Sequence, residues 1–147
     1  MKRSDDAHTT KARLKVKWTR RNGRGVYANC AIAKGEVIEI APVIVLSRRE
    51  ARVVDALPLA SHMYQWGPDG KQSAFVMGFA SFYNHSYSPN ARYSAREKSK
   101  GVVFRAIKDI ALGEEITHNY NGDPKNQTPI KFTKHSWWWP EQKGKHK

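Results

Sequence analysis

Turn-forming residues punctuate this chain so closely that it has room for many short strands and for a single helix. Leu14, Val16 and Trp18 alternate with Lys15 and Lys17, the period of two expected of a half-buried strand. A turn is expected at Asn22, Gly23, Arg24 and Gly25; extended chain resumes over residues 26–28, and Lys34-Gly35 turns it again. Residues 37–46 are apolar and rich in β-branched side chains but contain Pro42, which cannot donate to a ladder and so predicts an edge or a bulge. Ser47-x-x-Glu50 has the form of a capping box, so a helix is expected over residues 48–56, ending before Pro58. Gly67-Pro68-Asp69-Gly70 marks a turn, and the apolar residues 74–82 lead into a polar segment. Ala91, Tyr93 and Ala95 alternate with polar neighbours, and residues 102–107 read as a strand after a turn over 97–101. Two passages are alike, IAKGEVIEI from Ile32 and IALGEEITH from Ile110. They read as one hairpin chemistry used twice, glycine supplying a positive φ between extended flanks, and not as a true repeat. The expected fold class is mostly β, α+β at most.

At 147 residues the chain is of a size for one domain with a real core. Only 39% of it is hydrophobic and the mean hydropathy is -0.71, so part of it is expected to stay unpacked, and the charge points to the ends. Residues 1–25 carry nine Lys/Arg against Asp5 and Asp6, residues 125–147 six Lys against Glu141, and residues 26–124 eleven basic against ten acidic residues. The expected organisation is a basic arm over residues 1–12, a domain over 13–133 and a Trp-rich basic tail over 134–147. Such ends are either solvated tails or arms that make weak, salt-dependent contact with nucleic acid. Cys30 is the only cysteine, which excludes a disulfide framework and a thiolate zinc cluster. The sequence is polar after Met1-Lys2-Arg3, and the longest apolar run, residues 40–46, is too short to span a bilayer. Neither a signal peptide nor a membrane partner is expected, and the expected setting is reducing and cytoplasmic.

The chemistry concentrates in three pieces. The second half holds FYNHSYSPNA (residues 82–91), too turn-rich for helix, and IALGEEITHNYNG (residues 110–122), which ends a hairpin-like run on Tyr120; upstream, residues 22–28 read NGRGVYA. In this order the three pieces resemble the SET domain, the fold of a large family of protein lysine methyltransferases, over about residues 14–120, and are most similar to its small viral and bacterial single-domain members. The resemblance implies a SET fold of several small sheets with a C-terminal pseudo-knot, in which the chain passes under a loop formed by the Asn-His region against the usual rule of unthreaded connections. It implies S-adenosyl-L-methionine as cofactor and a protein substrate bearing the target lysine. By the same resemblance Gly23, Arg24 and Gly25 approach the methionine half of the cofactor, Asn84 and His85 hold its adenine, and the Tyr120 hydroxyl faces both the methyl group and the amine. Tyr64 falls where small relatives have a tyrosine lining the lysine channel, with Tyr83 and His118 as further channel residues. Phe132, or one of Trp137, Trp138 and Trp139, would cover the adenine.

Moving a methyl group from a sulfonium to a lysine amine is an in-line displacement, which needs two reactants held in place and an uncharged amine. Free lysine has a pKa of about 10.4; a narrow apolar channel beside a positive sulfonium lowers it by desolvation and like-charge repulsion, so no strong base is required. None is visible as a Ser-His-Asp set. Each residue also has a plainer reading: Tyr120 as a buried tyrosine with a satisfied hydroxyl, His85 as a structural polar residue, Gly23-Arg24-Gly25 as any tight turn, Trp66 as core, and the tryptophan cluster as a partner-binding patch. No metal role is expected, since His85 has no companion ligand set. Glu114 and Glu115 read as turn residues on a solvated hairpin. His118 stands where the family commonly has Phe, Tyr or Ile, which leaves open how many methyl groups are added. The competing function is a basic interaction module that keeps the fold and binds nucleic acid or an acidic partner through its ends without catalysis. The oligomeric state stays open.

Overall fold

The structure, a computed structural model, describes residues 13–20 and 23–130. The basic arm over 1–12, the tail over 134–147, Phe132 and the three consecutive tryptophans lie outside the described residues. Within them the chain forms β1 (Leu14–Thr19), β2 (Gly23–Ala28), β3 (Val37–Leu46), α1 (Arg48–Asp55), β4 (Met63–Trp66), β5 (Gln72–Val76), β6 (Asn84–His85), β7 (Ala91–Arg96), β8 (Gly101–Ala106) and β9 (Glu115–His118). Short 3-10 turns at Pro58–His62, Gly78–Phe82 and Glu97–Ser99 link them. The strands make a four-stranded sheet, β1-β2-β9-β6, and a five-stranded sheet, β4-β5-β3-β8-β7. Val26, Ile32, Ile38, Phe104, Ile110 and Ile116 are fully buried in the common core, and Trp66 joins them.

The two similar passages, read from sequence as one hairpin chemistry used twice and not as a true repeat, occupy matching places in a pseudo-twofold arrangement. Ile32 and Ile110 exchange both backbone hydrogen bonds, at 2.9 and 2.8 Å. Gly35 N–H donates to Ala106 O as Gly113 N–H donates to Ala28 O, and Ala106 N–H donates to Glu36 O as Ala28 N–H donates to Glu114 O. Both glycines sit at positive φ, +91° and +83°, where other residues are strained. The units β1-β2-β3 and β7-β8-β9 thus exchange their third strands: β9 pairs with β2, and β3 pairs with β8.

Other local expectations meet tertiary context. Pro42 is neither at an edge nor at a bulge. β3 pairs with β8 over residues 37–42 and with β5 over residues 43–46, so Pro42 sits where the strand changes partner and its missing N–H falls at the junction of two ladders. The bulge lies earlier, between Val37 and Glu39. One extra residue there turns Ile38 and Glu39 both inward and leaves Ile40 53% exposed. Gly23-Arg24-Gly25, expected within a turn, is strand instead, with Gly23 already paired with Thr19. β1 is an outer strand, and only Leu14 of its apolar set is buried; Trp18 is 72% exposed.

The helix forms as its capping box predicts: Glu50 N–H donates to Ser47 Oγ at 3.3 Å and Ser47 N–H to Glu50 Oε2 at 2.8 Å. No residue of α1 is buried, so its caps matter more than its packing. Ser47→Ala is expected to cost about 1 kcal/mol, seen as a lower urea midpoint at unchanged slope.

After β9 the chain is laced to the Asn-His segment. β6 pairs with β9 in parallel. Thr117 N–H donates to Asn90 Oδ1, Tyr87 Oη donates to Thr128 O and accepts from Ile130 N–H, and Gln127 Nε2 donates to Tyr87 O. These ties join residues 84–90 to residues 115–130, the two segments of the implied pseudo-knot.

Candidate active site

A cavity of about 360 Å³ opens where the two sheets meet, lined by β4, the turn Gly78–Phe82 and the chain just after β9. Arg24, Tyr64, Tyr83, Asn84, His118 and Tyr120, six of the residues singled out from sequence, all line it. Gly23, Gly25 and His85 are not among its lining residues. Among the described residues no group of three His, Cys, Asp or Glu side chains could hold a metal ion.

One wall is aromatic. Tyr64, Tyr93, His118 and Tyr120 line the cavity, with the Tyr64 ring stacked on His118 at 5.6 Å and Tyr93 edge-on to Tyr64 at 5.2 Å. Tyr120 Oη donates to Tyr83 O at 2.9 Å, so its single proton is committed and its oxygen is an acceptor toward anything else. Tyr64 Oη lies 3.1 Å from Ala80 O and 3.1 Å from His118 Nε2. Burial pushes the Tyr64 and Tyr120 hydroxyls well above the ordinary tyrosine range, so both are neutral phenols near pH 7. Burial holds the His118 imidazole down at about 4, which keeps it uncharged beside them. Among the described residues no Asp or Glu lines the cavity, and Arg24, whose guanidinium lies 5.1 Å over the Phe82 ring, is the one Lys or Arg that does.

Gly23-Arg24-Gly25 approaches this cavity from β2 for a reason of space. A Cβ on Gly25 would run into Glu115 Oε1 and Asn84 Nδ2, which are hydrogen-bonded to each other at 2.6 Å. Asn84 Nδ2 also donates to Arg24 O at 3.2 Å, tying β6 to β2 across β9. Glu115 is therefore a fixed acceptor for Asn84 and not a solvated turn residue. Glu114 is exposed, yet it also has set partners: its Oε1 accepts from Asn90 Nδ2 and its Oε2 from Ala111 N–H. Tyr120 N–H donates to His85 Nδ1 at 3.1 Å, and burial lowers the His85 pKa. The neutral ring then carries its proton on Nε2, a buried atom with no partner among the described residues.

Sequence reasoning did not select Glu39, Tyr93 or Glu115 for the site. Glu39 is buried on β3, accepts from Phe79 N–H and from Tyr83 Oη at 2.9 Å each, and burial pushes its carboxyl up to about 6. Tyr83 accordingly serves the cavity through its carbonyl, while its hydroxyl is turned to Glu39. Tyr93 was visible only as one member of an alternating strand.

The comparisons with known proteins agree with this arrangement. The SET domain family model matches residues 23–121. A Schizosaccharomyces pombe histone-lysine N-methyltransferase specific for lysine 37 of H3 is 30% identical over 108 residues, covering 73% of this chain and 72% of that protein. Human histone-lysine N-methyltransferase 2B is 30% identical over 118 residues, and a Plasmodium falciparum variant-silencing SET domain-containing protein 31% identical over 128; each alignment covers 74% of this chain but only 4% and 5% of those proteins. A crystal structure of a Plasmodium falciparum candidate histone methyltransferase superimposes with a TM-score of 0.58 at 26% identity, covering 75% of this chain and 98% of that one.

Proposed function

The chain belongs to the SET domain family of protein lysine methyltransferases, and from that premise we propose that it transfers a methyl group from S-adenosylmethionine to the ε-amino group of a lysine in a protein substrate. The observation that carries the proposal is the aromatic wall of Tyr64, Tyr93, His118 and Tyr120, with no carboxylate among the described residues that line the cavity. A lysine side chain entering there finds acceptor oxygens but no anion, so its charged form is disfavoured by desolvation and the reactive free amine is favoured. Tyr120 Oη, its proton held by Tyr83 O, is placed to accept from that amine and orient it.

The residues present fit the cofactor. Among the described residues the buried His85 Nε2–H is a donor without a partner, as a purine or ribose acceptor beside the cavity would require, and Arg24, which lines the cavity, is a cation for an amino-acid carboxylate. Asn84, fixed by Glu115 and Arg24 O, would hold the adenine side. S-adenosylmethionine would supply an electrophilic methyl group; the residues around it bind, orient and exclude water. Phe132 is retained as a candidate cover for the adenine.

The names of the relatives make histones the first substrates to try, and the basic ends are a reason to include nucleic-acid-bound forms. The lone Cys30 supports a reducing, cytoplasm-like setting. Calorimetric titration with S-adenosylmethionine is expected to give saturable one-to-one binding, followed by label transfer to histone H3. Absence of binding heat and of transfer across free histones, peptides and nucleosomes would reject the proposal in favour of a non-catalytic interaction module.

A further inference from the structure

The least expected side chain in the molecule is Glu39. Strict alternation along β3 would place Ile38 and Ile40 in the core and Glu39 in water; the bulge between Val37 and Glu39 reverses this, burying the carboxylate and exposing Ile40. At the equivalent place in the second unit, β9 has no bulge: Ile116 and His118 point inward and Thr117 does not. Neither ion pair among the described residues, Arg13 with Glu36 and Lys71 with Asp69, involves Glu39. Burying an unpaired carboxylate while exposing an isoleucine works against stability twice over, so the arrangement calls for another reason.

Its hydrogen bonds supply one. Glu39 Oε1 accepts from Phe79 N–H and Oε2 from Tyr83 Oη, and Ala80 N–H is also turned toward the carboxylate. Gly78, at φ +78°, has no room for a side chain because Glu39 Oε1 packs against it. The carboxylate therefore fixes both ends of the turn Gly78–Phe82, and that turn presents Ala80 O to the Tyr64 hydroxyl and Tyr83 O to the Tyr120 hydroxyl. We propose that Glu39 is a positioning residue, which acts through the Gly78–Tyr83 backbone to hold the phenols of Tyr64 and Tyr120 in register with each other across the cavity. This rests on the reading of those phenols as the site of methyl transfer.

The titratable groups that feel Glu39 are Tyr83 and Tyr64; its other close neighbours are the backbone of Phe79 and Ala80, and Phe104, its cross-strand partner. The ionised carboxylate accepts from Phe79 N–H on Oε1 and from Tyr83 Oη on Oε2; protonation of Oε2 adds a proton to donate and weakens that oxygen as an acceptor, which favours a reversed Tyr83 hydroxyl. Burial raises the folded-state pKa of Glu39 above the ordinary carboxylate value. Its charge therefore opposes folding as pH rises through about 6.

Glu39→Gln is expected to keep the melting temperature at pH 8 unchanged or raise it, and to keep the Kd for S-adenosylmethionine, while kcat falls roughly tenfold to a hundredfold, as for a small misplacement of reacting groups. Tyr83→Phe is expected to cause a similar loss, and the double variant no further loss. Because the acceptor amine titrates as well, the pH dependence is read from tyrosine Cζ resonances: in the wild type those of Tyr83, Tyr64 and Tyr120 should shift together near pH 6, and in Glu39→Gln the step should vanish. Wild-type kcat in Glu39→Gln, a kcat loss matched by falls in melting temperature and cofactor affinity, or no common step near pH 6 would each overturn the proposal. If the wild type transfers no methyl group, the functional reading fails, and the resonances still decide the role of Glu39.

Discussion

Tyr120→Phe is expected to lower kcat by about a hundredfold to a thousandfold, the range seen when one preorganised polar contact is removed from a water-excluded site. Two consequences of removing a single oxygen can be separated. The Tyr83 carbonyl loses its donor, which costs on the order of 1 kcal/mol of stability and a few degrees of melting temperature. The larger effect is expected on turnover, because in the proposed reaction that oxygen, with its proton already committed to Tyr83 O, would be the acceptor left for the incoming amine. Burial keeps the phenol protonated well past neutral pH, so it cannot be a general base, and the loss should be uniform across pH 7 to 9 rather than confined to one limb. Single-turnover rates with labelled S-adenosylmethionine, alongside calorimetric Kd values within about threefold of wild type, would establish this. A variant that keeps wild-type turnover would remove Tyr120 from the reaction.

Gly25→Ala is expected to damage the molecule out of proportion to one methyl group. Its Cβ would meet Glu115 Oε1 and Asn84 Nδ2, neither of which can withdraw easily: Asn84 is buried and bonded to Arg24 O, and Glu115 is on β9 between β2 and β6. Overpacking of this kind costs about 1–3 kcal/mol, so a melting temperature lower by roughly 5–10 °C is expected. Displacing Asn84 should weaken S-adenosylmethionine binding by about a hundredfold, near 3 kcal/mol. Pairing the change with Glu115→Ala, which returns the space, should recover much of the melting temperature but not the affinity. If Gly25→Ala melts and binds as the wild type does, the close approach is not what the glycine is for.

Much of the fold was legible because its strands are short and their turns are chemically marked. The capping box at Ser47, the glycines at positions 35, 67 and 113 and the alternation around Tyr93 each act within a few residues, and each reappears in the structure. What was not legible depends on partners far along the chain. β6 is two residues long, and only its parallel neighbour β9 makes it a strand. Pro42 argued for an edge because nothing local says that β3 exchanges one ladder for another at that point. Gly25 looked like part of a turn, and the structure gives it a different necessity, clearance for Asn84 and Glu115. Glu39 was hidden more thoroughly, since a bulge inverts the alternation from which burial is inferred. The site followed the same pattern: Arg24, Tyr64, Tyr83, Asn84, His118 and Tyr120 were found through motif order and do line one cavity, but Tyr93 and Glu115 contribute through neighbours that no local pattern reveals.

The exchange of third strands between the β1-β2-β3 and β7-β8-β9 units also bears on how the molecule comes into being. During synthesis the first unit emerges with β2 and β3 each lacking the neighbour that will cover one edge, because the partner of β2 is encoded roughly ninety residues later and that of β3 roughly sixty. A nascent chain in that condition offers open hydrogen-bonding edges to whatever is nearby, and contacts this distant in sequence close slowly. A cut in the exposed link between β4 and β5 should therefore leave two pieces that are each insoluble alone and fold when mixed.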